Sequence, residues 1–333
     1  MEEKKFDVKS IIGFVLIFIL LLWVMNNNRP TQEELAKRKA EQEQAAAAKN
    51  PQNNTATAAT ADLGAFAYGN AQATAKDGVT VIENKDVKLT INNKGGDLKE
   101  VLLKQFKTYE SMPVYLIKDK NAIFALNFKT TQGQELNTQQ LYFEPSLSQK
   151  DGKQLLSMKV KTGENSYLEY VYTLPAEGYM VDVAVRSQGL SGVLNSQNPI
   201  ELVWGLKARR MEKSVTYENR YTQSTIRYAD DKINRMSQGG NSGTKEEQVS
   251  WVAYKQHLFT SVLISDSAFA NGDFLSYNIA NEESKDVKYT KNLKSTFPLK
   301  TKGGELSESL HFYFGPSDYN VLKQYNDKYE LTE

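Results

Sequence analysis

The sequence of 333 residues contains no cysteine and only two histidines, His257 and His311. The absence of cysteine excludes disulfides, thiolate metal sites, thiol catalysis and a lipid-modified amino-terminal cysteine. Neither charge predominates, because 41 Lys and Arg stand against 40 Asp and Glu. This balance argues against nucleic acid as the main partner, since phosphate binding needs a basic excess. Proline is scarce, at 8 residues, and tyrosine abundant, at 18, which favours a β-rich chain.

One long apolar run lies near the amino terminus. Residues 11–25, IIGFVLIFILLLWVM, carry no charge, and 19 residues separate Lys9 from Arg29. At 1.5 Å per residue these span about 28 Å, close to the hydrocarbon thickness of a bilayer. No small-residue cleavage pattern follows, so residues 10–28 predict an uncleaved transmembrane anchor and not a signal peptide. The anchor residues singled out are Ile11, Phe14, Leu20, Trp23 and Met25.

Residues 29–78 predict a stalk and a linker. Residues 30–49, PTQEELAKRKAEQEQAAAAK, contain a single large apolar residue, Leu35, so they predict a solvated spacer helix. The stretch after Pro51 is rich in Ala, Thr and Asn and predicts a flexible tether. Basic residues flank the apolar run on both sides, so charge bias leaves the orientation undecided.

From Val79 onward, apolar residues recur at every second position, as in half-buried strands. Strand-like runs occur at 87–91, 98–106, 122–128, 154–162, 166–174, 179–187, 200–208, 224–229, 274–280 and 310–315. The Gly95-Gly96 pair between the first two runs predicts a hairpin turn and not a phosphate loop, because no helix follows it. More than ten strands without a long amphipathic helix predict a mainly β domain over 79–316, a two-sheet sandwich.

The last segment, 317–333, predicts a short helix. Asp318 or Ser317 can cap it, and Val321, Leu322 and Tyr325 fall on one side.

Catalytic chemistry has few candidates. The chain has no G-x-S-x-G motif, and the spacing of 54 residues between the histidines fits no metal motif. His311 stands in the alternating run LHFYF, which predicts that it faces solvent. His257 is interpreted as a sheet-surface or capping residue. We therefore predict no catalytic, cofactor-binding or metal-binding residues.

Three stretches in this order resemble one family. They are INNKGGDLKEVLLKQF, then WVAYKQHLFTSVLI with the pattern W-V-A-x-x-Q-x-x-F, then LHFYFGPSDYNVLKQY. Together they resemble the amino-terminal part of the bacterial membrane-protein insertases of the YidC family, in the form found in Bacteroidota. The residues that carry this resemblance are Gly95, Gly96, Asp97, Trp251, Val252, Ala253, Gln256, Phe259, Gly315 and Pro316.

The resemblance implies an architecture and a location. Residues 1–9 would be cytoplasmic, 10–28 would span the inner membrane once, and 79–316 would be a periplasmic β-sandwich of the galactose-mutarotase type. Residues 317–333 would lead toward a five-helix insertase core, which is not found before Glu333. We therefore expect an amino-terminal portion that does not insert proteins alone.

The resemblance also implies partners and a role. The partners would be the lipid bilayer, nascent membrane proteins and the Sec translocon, including SecD, SecF and SecYEG. The role would be to assist membrane-protein insertion, without enzymatic chemistry and without a cofactor.

Two other functions stay open from the sequence. A mutarotase-like epimerase on the same fold would need a positioned acid and base. An anchored glycan- or peptide-binding protein would use exposed aromatics in a cleft. Within VSWVAYKQHLFTSVLI, residues 249–264, we predict two buried strands joined by a kink. Trp251 and Phe259 would be core residues, Gln256 a polar tie and His257 incidental.

Overall fold

The computed structural model describes residues 62–72, 74–236, 238, 240–279, 287–329 and 331. The predicted anchor at 10–28, with Ile11, Phe14, Leu20, Trp23 and Met25, lies outside these ranges, as does the predicted spacer helix. Within the described ranges, no helix has the length and apolar character needed to span a bilayer.

Four strands at the start of the β domain form an antiparallel sheet in chain order. They are β1 Val79–Glu83, β2 Val87–Asn92, β3 Leu98–Lys107 and β4 Pro113–Ile117. Gly95 and Gly96 in the turn between β2 and β3 have φ angles of 96° and 69°. Glycine adopts this left-handed conformation without a steric cost, so the predicted hairpin is confirmed.

The remaining described strands form one large sheet. They are β5 Ala122–Lys129, β6 Glu135–Asn137, β7 Glu144–Lys150, β8 Lys153–Lys161, β9 Tyr167–Leu174, β10 Met180–Gln188, β11 Ile200–Arg209, β12 Gln223–Tyr228, β13 Ile233–Arg235, β14 Ser242–Lys255, β15 Phe259–Asn278, β16 Tyr289–Leu299 and β17 Ser307–Pro316. The main path runs β6-β5-β11-β16-β15-β17-β10-β9-β8-β7, and β12 to β14 join it at β15. The first part of β15 pairs with β14 and β17, and its second part pairs with β14 and β16.

Helices in the described ranges are short. They are α1 Ala67–Asn70, α2 Val215–Tyr221, α3 Tyr319–Leu322 and α4 Asn326–Tyr329, with 3-10 turns at Gly64–Phe66, Thr138–Gln140 and Lys323–Tyr325. The sequence predicted neither α1 nor α2. The flexible tether predicted after Pro51 is wrong at residues 64–70, because Phe66 is fully buried in the core and its ring lies 5.1 Å from that of Phe128. The predicted carboxyl-terminal helix is present as α3, a 3-10 turn and α4, and Asp318 caps it by accepting from the N–H groups of Asn320 and Val321 at 2.8 and 3.2 Å.

The two sheets share one apolar core. It contains Leu89 and Val101 from the small sheet and Trp204, Tyr254 and Phe312 from the large one. Trp204 and Tyr254 stack with their ring centroids 4.0 Å apart, and the Tyr254 hydroxyl donates to Trp204 O at 3.0 Å. Stacked aromatics bury much apolar area and satisfy their polar atoms locally. The chain is therefore mainly β, with two sheets packed as a sandwich, as the strand pattern predicted.

Candidate functional site

Residues 256–258 connect β14 to β15 as a β-hairpin. Gln256 N donates to Phe259 O at 2.8 Å, which closes the reversal. Gln256 Nε2 donates to Arg209 O at 2.7 Å, so this side chain ties the hairpin to the end of β11. The predicted polar tie at Gln256 is confirmed, and the predicted kink is a full chain reversal.

The hairpin strands present apolar side chains on both faces. Val252 and Phe259 face the core between the sheets, and the Phe259 ring lies 5.2 Å from that of Phe106. Trp251 and Ala253 face the other way, into a second apolar cluster. Trp251 is only 2% exposed, so its predicted burial is confirmed. We call this second surface of β10, β14, β15 and β17 the outer face.

The carboxyl-terminal segment, residues 318–329 and Leu331, covers the outer face. Leu322, Tyr325 and Tyr329 pack against its apolar cluster, at a spacing that places them on one side of the helical segment. Tyr325 contacts Tyr313 edge to face at 5.4 Å, and Tyr179 N donates to the Tyr325 hydroxyl at 3.0 Å. The prediction of one apolar side is confirmed, although Tyr329 takes the place expected for Val321.

Gly315 and Pro316 end β17 beside this hairpin, where they pair with Thr260 and Phe259. A Cβ on Gly315 would lie 2.6 Å from the Tyr313 hydroxyl and 2.8 Å from the Tyr179 ring. The same hydroxyl donates to Pro316 O at 2.7 Å. Only glycine therefore fits between the two tyrosines.

Replacing Gly315 with alanine is expected to destabilise the domain by about 1–3 kcal/mol, as overpacking commonly does. The new methyl group must displace Tyr313 and break its bond to Pro316. Urea unfolding followed by tryptophan fluorescence measures the effect. Gly192→Ala is the matched control, because no atom lies within 4 Å of its added Cβ. Equal midpoints for the two variants would contradict the packing argument.

The Gly95–Asp97 turn does not join this site. It lies just before Leu98, the first residue of β3, and Phe106 lies near the other end of this strand. At roughly 3.3 Å per residue, Leu98 and Phe106 are about 26 Å apart. Tyr172 donates its hydroxyl proton to Gly96 O at 2.8 Å, and Asn92 Nδ2 donates to Asp97 Oδ1 at 2.8 Å. Burial raises the pKa of Asp97. These contacts fix the turn against the core, so the turn is structural.

His257 lies at the hairpin tip beside α2. The centroid of its ring lies 5.0 Å from that of Tyr217 and 4.9 Å from that of Tyr221. Its Nδ1 lies 3.3 Å from Glu212 Oε1. The side chain is 25% exposed. It therefore packs the hairpin tip against α2, a contact that its interpretation as incidental did not predict.

Two buried ionisable groups that the sequence did not predict, Glu218 of α2 and Lys291 of β16, lie close to this helix. Glu218, 1% exposed, accepts from Met211 N at 3.0 Å and Glu212 N at 3.2 Å, and burial raises its pKa to about 7. Lys291 donates to the carbonyls of Thr222 and Gln238 at 2.7 and 2.9 Å. Burial lowers the pKa of Lys291 to about 8. Both side chains bond to backbone, which indicates that they fix α2 in place.

The predicted exposure of His311 is wrong. The residue is 5% exposed, with Nδ1 2.8 Å from Asp182 Oδ1 and Nε2 2.9 Å from Asp266 Oδ1. Tyr329 covers it, with its hydroxyl 3.2 Å from Nδ1. The physical reason is that the carboxyl-terminal segment covers the outer face, which strand alternation alone would predict to be exposed to solvent. The hydrogen bond from His311 lowers the pKa of Asp182.

A cleft of about 240 Å³ lies between the outer face and the carboxyl-terminal segment. Its lining comprises Trp251, Ala253, Lys255, Thr260, Val262, Ser317, Tyr319, Leu322 and Leu331. The predicted residues Trp251 and Ala253 thus line the same cleft, and Gly315-Pro316 leads directly to its Ser317 wall. Among the described residues, no group of three or more His, Asp or Glu side chains could hold a metal ion. The cleft is the candidate site for binding, because side chains of the outer face and of the carboxyl-terminal segment meet in it.

Comparison with known proteins identifies relatives. Residues 79–333 match the family model described as the YidC periplasmic domain. The chain is 32% identical over 250 residues to the membrane protein insertase YidC of Porphyromonas gingivalis, covering 74% of this chain and 39% of that protein. It is 30% identical over 263 residues to the membrane protein insertase YidC of Bacteroides fragilis, covering 77% and 41%. The chain thus spans about two fifths of these relatives.

Among solved structures, the crystal structure of the periplasmic domain of Thermotoga maritima YidC aligns with a TM-score of 0.35 and 13% identity, covering 75% of this chain and 89% of that chain. A galactose mutarotase-like protein from Lactobacillus casei aligns with a TM-score of 0.43 and 14% identity, covering 72% and 100%. The family assignment depends on the family model and the sequence relatives, which agree over most of the chain. They confirm the resemblance read from the sequence, and the chain belongs to the YidC periplasmic domain family.

Proposed function

We propose that this chain is the membrane-anchored, extracytoplasmic module of a membrane-protein insertase. The observation that carries the proposal is the match of residues 79–333 to the YidC periplasmic domain family. The relatives that share this region are named membrane protein insertases. In this proposal the module assists the insertion and folding of inner-membrane proteins by binding and positioning them, without enzymatic chemistry.

The proposed topology places residues 1–9 in the cytoplasm and a single span at 10–28 in the inner membrane. Residues 29–78 form the stalk and linker, whose Phe66 packs in the core of the sandwich. Residues 79–316 form a periplasmic sandwich of the galactose-mutarotase type. Residues 317–333 lead from the sandwich toward the membrane core of the insertase. The uncharged length of 19 residues between Lys9 and Arg29 supports the span.

The proposed partners are lipid, nascent membrane proteins and the Sec translocon components SecD, SecF and SecYEG. An exposed apolar surface beside the cleft supports a contact with a partner. It consists of Tyr217, Tyr221, Leu258 and Tyr319, which are 39–60% exposed, and we call it the apolar rim. Leu258 and Tyr319 are linked through Ser317, whose N–H donates to Leu258 O at 2.7 Å. Contiguous exposed apolar residues are typical of interaction surfaces.

Photo-crosslinking tests this function. A benzoylphenylalanine at Leu258 in the full chain, expressed in a bacterium, is expected to crosslink to ribosome-bound nascent chains of an inner-membrane protein. Leu147 on β7 is the matched control position, because it is 53% exposed, comparable to Leu258 at 51%. Equal labelling from both positions, or labelling of neither, would contradict a client contact at the rim.

A further inference from the structure

Strand β7, Glu144–Lys150, forms one edge of the large sheet, where among the described strands it pairs with β8 alone. Strands β1, β4, β6 and β13 also have one neighbour each, but they have three to five residues and β7 has seven. The edge of β1 is also covered, because the Gln154 side chain bonds Glu83 N and Glu83 O at 3.3 and 2.7 Å. An uncovered edge offers unpaired N–H and C=O groups to a further strand. In the described ranges, β7 is therefore the longest edge to which a strand can add.

The turn between β7 and β8 determines which backbone groups of β7 face outward. It consists of Asp151 and Gly152, whose φ angles of 51° and 74° are those of a type I′ turn. Lys150 and Lys153 flank this turn and form a hydrogen-bonded pair, and hydrogen-bonded pairs alternate with non-hydrogen-bonded pairs from there along the ladder. The N–H and C=O groups of Leu147, and those of the residues two positions to either side, therefore point away from β8.

The residues at these outward positions agree with this direction. Pro145 has no N–H to donate, and proline is tolerated in a sheet where its nitrogen faces outward at an edge. Leu147, at the centre of the strand, is 53% exposed. Outside the ladder with β8, no hydrogen bond between described residues involves the backbone of Leu147 or Gln149. The edge therefore presents an exposed apolar side chain between unpaired backbone groups.

The charges of β7 are placed symmetrically about Leu147. Glu144 lies three residues before it and Lys150 three residues after it. When two copies of this strand pair antiparallel about Leu147, Glu144 of each copy lies opposite Lys150 of the other. Opposite charges in this position stabilise a strand pair, and like charges destabilise it. Glu144 Oε2 also lies 3.2 Å from Lys161 Nζ, and a carboxylate can accept from both lysines.

We propose that β7 pairs antiparallel with β7 of a second copy of this chain, with Leu147 on the two-fold axis. The two Leu147 residues exchange hydrogen bonds and cover each other's side chains, and Gln149 N of each copy donates to Pro145 O of the other. A second copy supplies both charges in the matching order, which a strand of unrelated sequence does not. The two-fold axis closes the assembly at two copies, because each copy uses its edge once. No residue of the apolar rim belongs to β7, so this pairing adds to the proposed function and does not depend on it.

Disulfide crosslinking tests the pairing, because the chain contains no cysteine of its own. The full chain with Leu147→Cys is oxidised with copper phenanthroline in bacterial inner-membrane vesicles and separated on a non-reducing gel. Directly opposite residues of a hydrogen-bonded pair have Cα atoms about 5.5 Å apart, within the range of a disulfide. We expect a dimer band that disappears on reduction. Gln149→Cys is the matched control on the same edge, because its two copies would lie four positions apart along the strands, about 13 Å, which no disulfide spans.

Charge reversal in the Leu147→Cys background tests the register. Glu144→Lys alone and Lys150→Glu alone each place like charges opposite one another across the two-fold axis. Each is expected to lower the dimer fraction about fivefold. The two changes together restore opposite charges, so the doubly reversed variant is expected to regain the dimer fraction of the Leu147→Cys chain.

Three results would overturn the proposal. The first is a dimer that forms equally from Leu147→Cys and Gln149→Cys, which random collision in the membrane explains. The second is the absence of a dimer from Leu147→Cys, including the case in which the introduced thiol captures a different protein, since the edge then pairs with a strand of another sequence. The third is a doubly reversed variant whose dimer fraction stays as low as that of the single reversals.

Discussion

Replacing His311 with leucine is expected to release the carboxyl-terminal segment from the outer face and to lower the stability of its packing by about 2–4 kcal/mol. His311 bonds Asp182 and Asp266 at 2.8 and 2.9 Å and is covered by Tyr329. Each hydrogen bond to a charged group contributes about 1.5–3 kcal/mol. The expected loss of stability is smaller than the sum for two such hydrogen bonds. The reason is that the side chains of Asp182 and Asp266 are 45% and 47% exposed and can hydrogen-bond to water instead.

Hydrogen exchange measures this release. The amides of residues 319–329 are expected to exchange faster in the His311→Leu variant, while those of β2 and β3 keep their protection. His257→Leu is the matched control, since it removes the other histidine, whose contacts are to Glu212 and α2. If both variants leave residues 319–329 equally protected, His311 does not hold the segment.

Acid should produce a related effect in the parent chain. The hydrogen bond from His311 lowers the pKa of Asp182 below its ordinary value of 3.8. A carboxyl group whose pKa is lower in the folded state stabilises that state above its unfolded pKa, and this contribution is lost as the pH falls through the folded pKa. The segment is therefore expected to loosen below about pH 3.8 in the parent, with a smaller change in His311→Leu.

The strands were predictable because their pattern is local. The large sheet and the small sheet each bury one face against a common core, so apolar residues recur with period two in runs such as 87–91 and 154–162. The hairpin at Gly95-Gly96 was predictable for the same reason, since only positive φ angles close it. These features depend on residues a few positions apart.

His311 and α2 were not predictable in this way. Alternation assumes one exposed face, but residues from a later segment cover the outer face at His311. A signal was present, because LHFYFG has apolar or aromatic residues on both faces, as in strands buried on both sides. Helix α2 carries exposed tyrosines, and Lys291, which lies 69 residues beyond Thr222, fixes its end by donating to Thr222 O. No local pattern reports such contacts.

The candidate site was also only partly predictable from the sequence. Trp251, Ala253 and Gln256 were singled out from the sequence, and the structure places them at one hairpin beside Gly315 and Pro316. The cleft itself could not be predicted, because four of its nine lining residues lie beyond β17, and the position of this part of the chain over β14 depends on tertiary packing. The Gly95–Asp97 turn was singled out by the same family resemblance, but it does not line the cleft.

We expect the parent chain to lose stability between about pH 4.5 and 7, and replacing Glu218 with glutamine is expected to remove most of this loss. Burial raises the pKa of Glu218 from 4.5 to about 7, and Glu212 adds to this rise while Arg210 opposes it. A carboxyl group whose pKa is higher in the folded state contributes stability that is fully present below its unfolded pKa. That contribution is lost as the pH rises through the folded pKa.

The expected size of this effect is about 3 kcal/mol, since each pH unit between the two pKa values corresponds to about 1.4 kcal/mol. The glutamine side chain keeps an oxygen that accepts from Met211 N and Glu212 N, and it does not ionise. Any change that the substitution itself makes to the free energy of unfolding is therefore the same at every pH. Urea unfolding at a series of pH values separates this offset from the slope. Glu201→Gln, on an exposed position of β11, is the matched control and should keep the parent slope. If the Glu218→Gln variant has the same pH slope as the parent, then Glu218 is ionised in the folded domain throughout this range. In that case the hydrogen bonds that its carboxylate accepts from Met211 N and Glu212 N outweigh the effect of its burial.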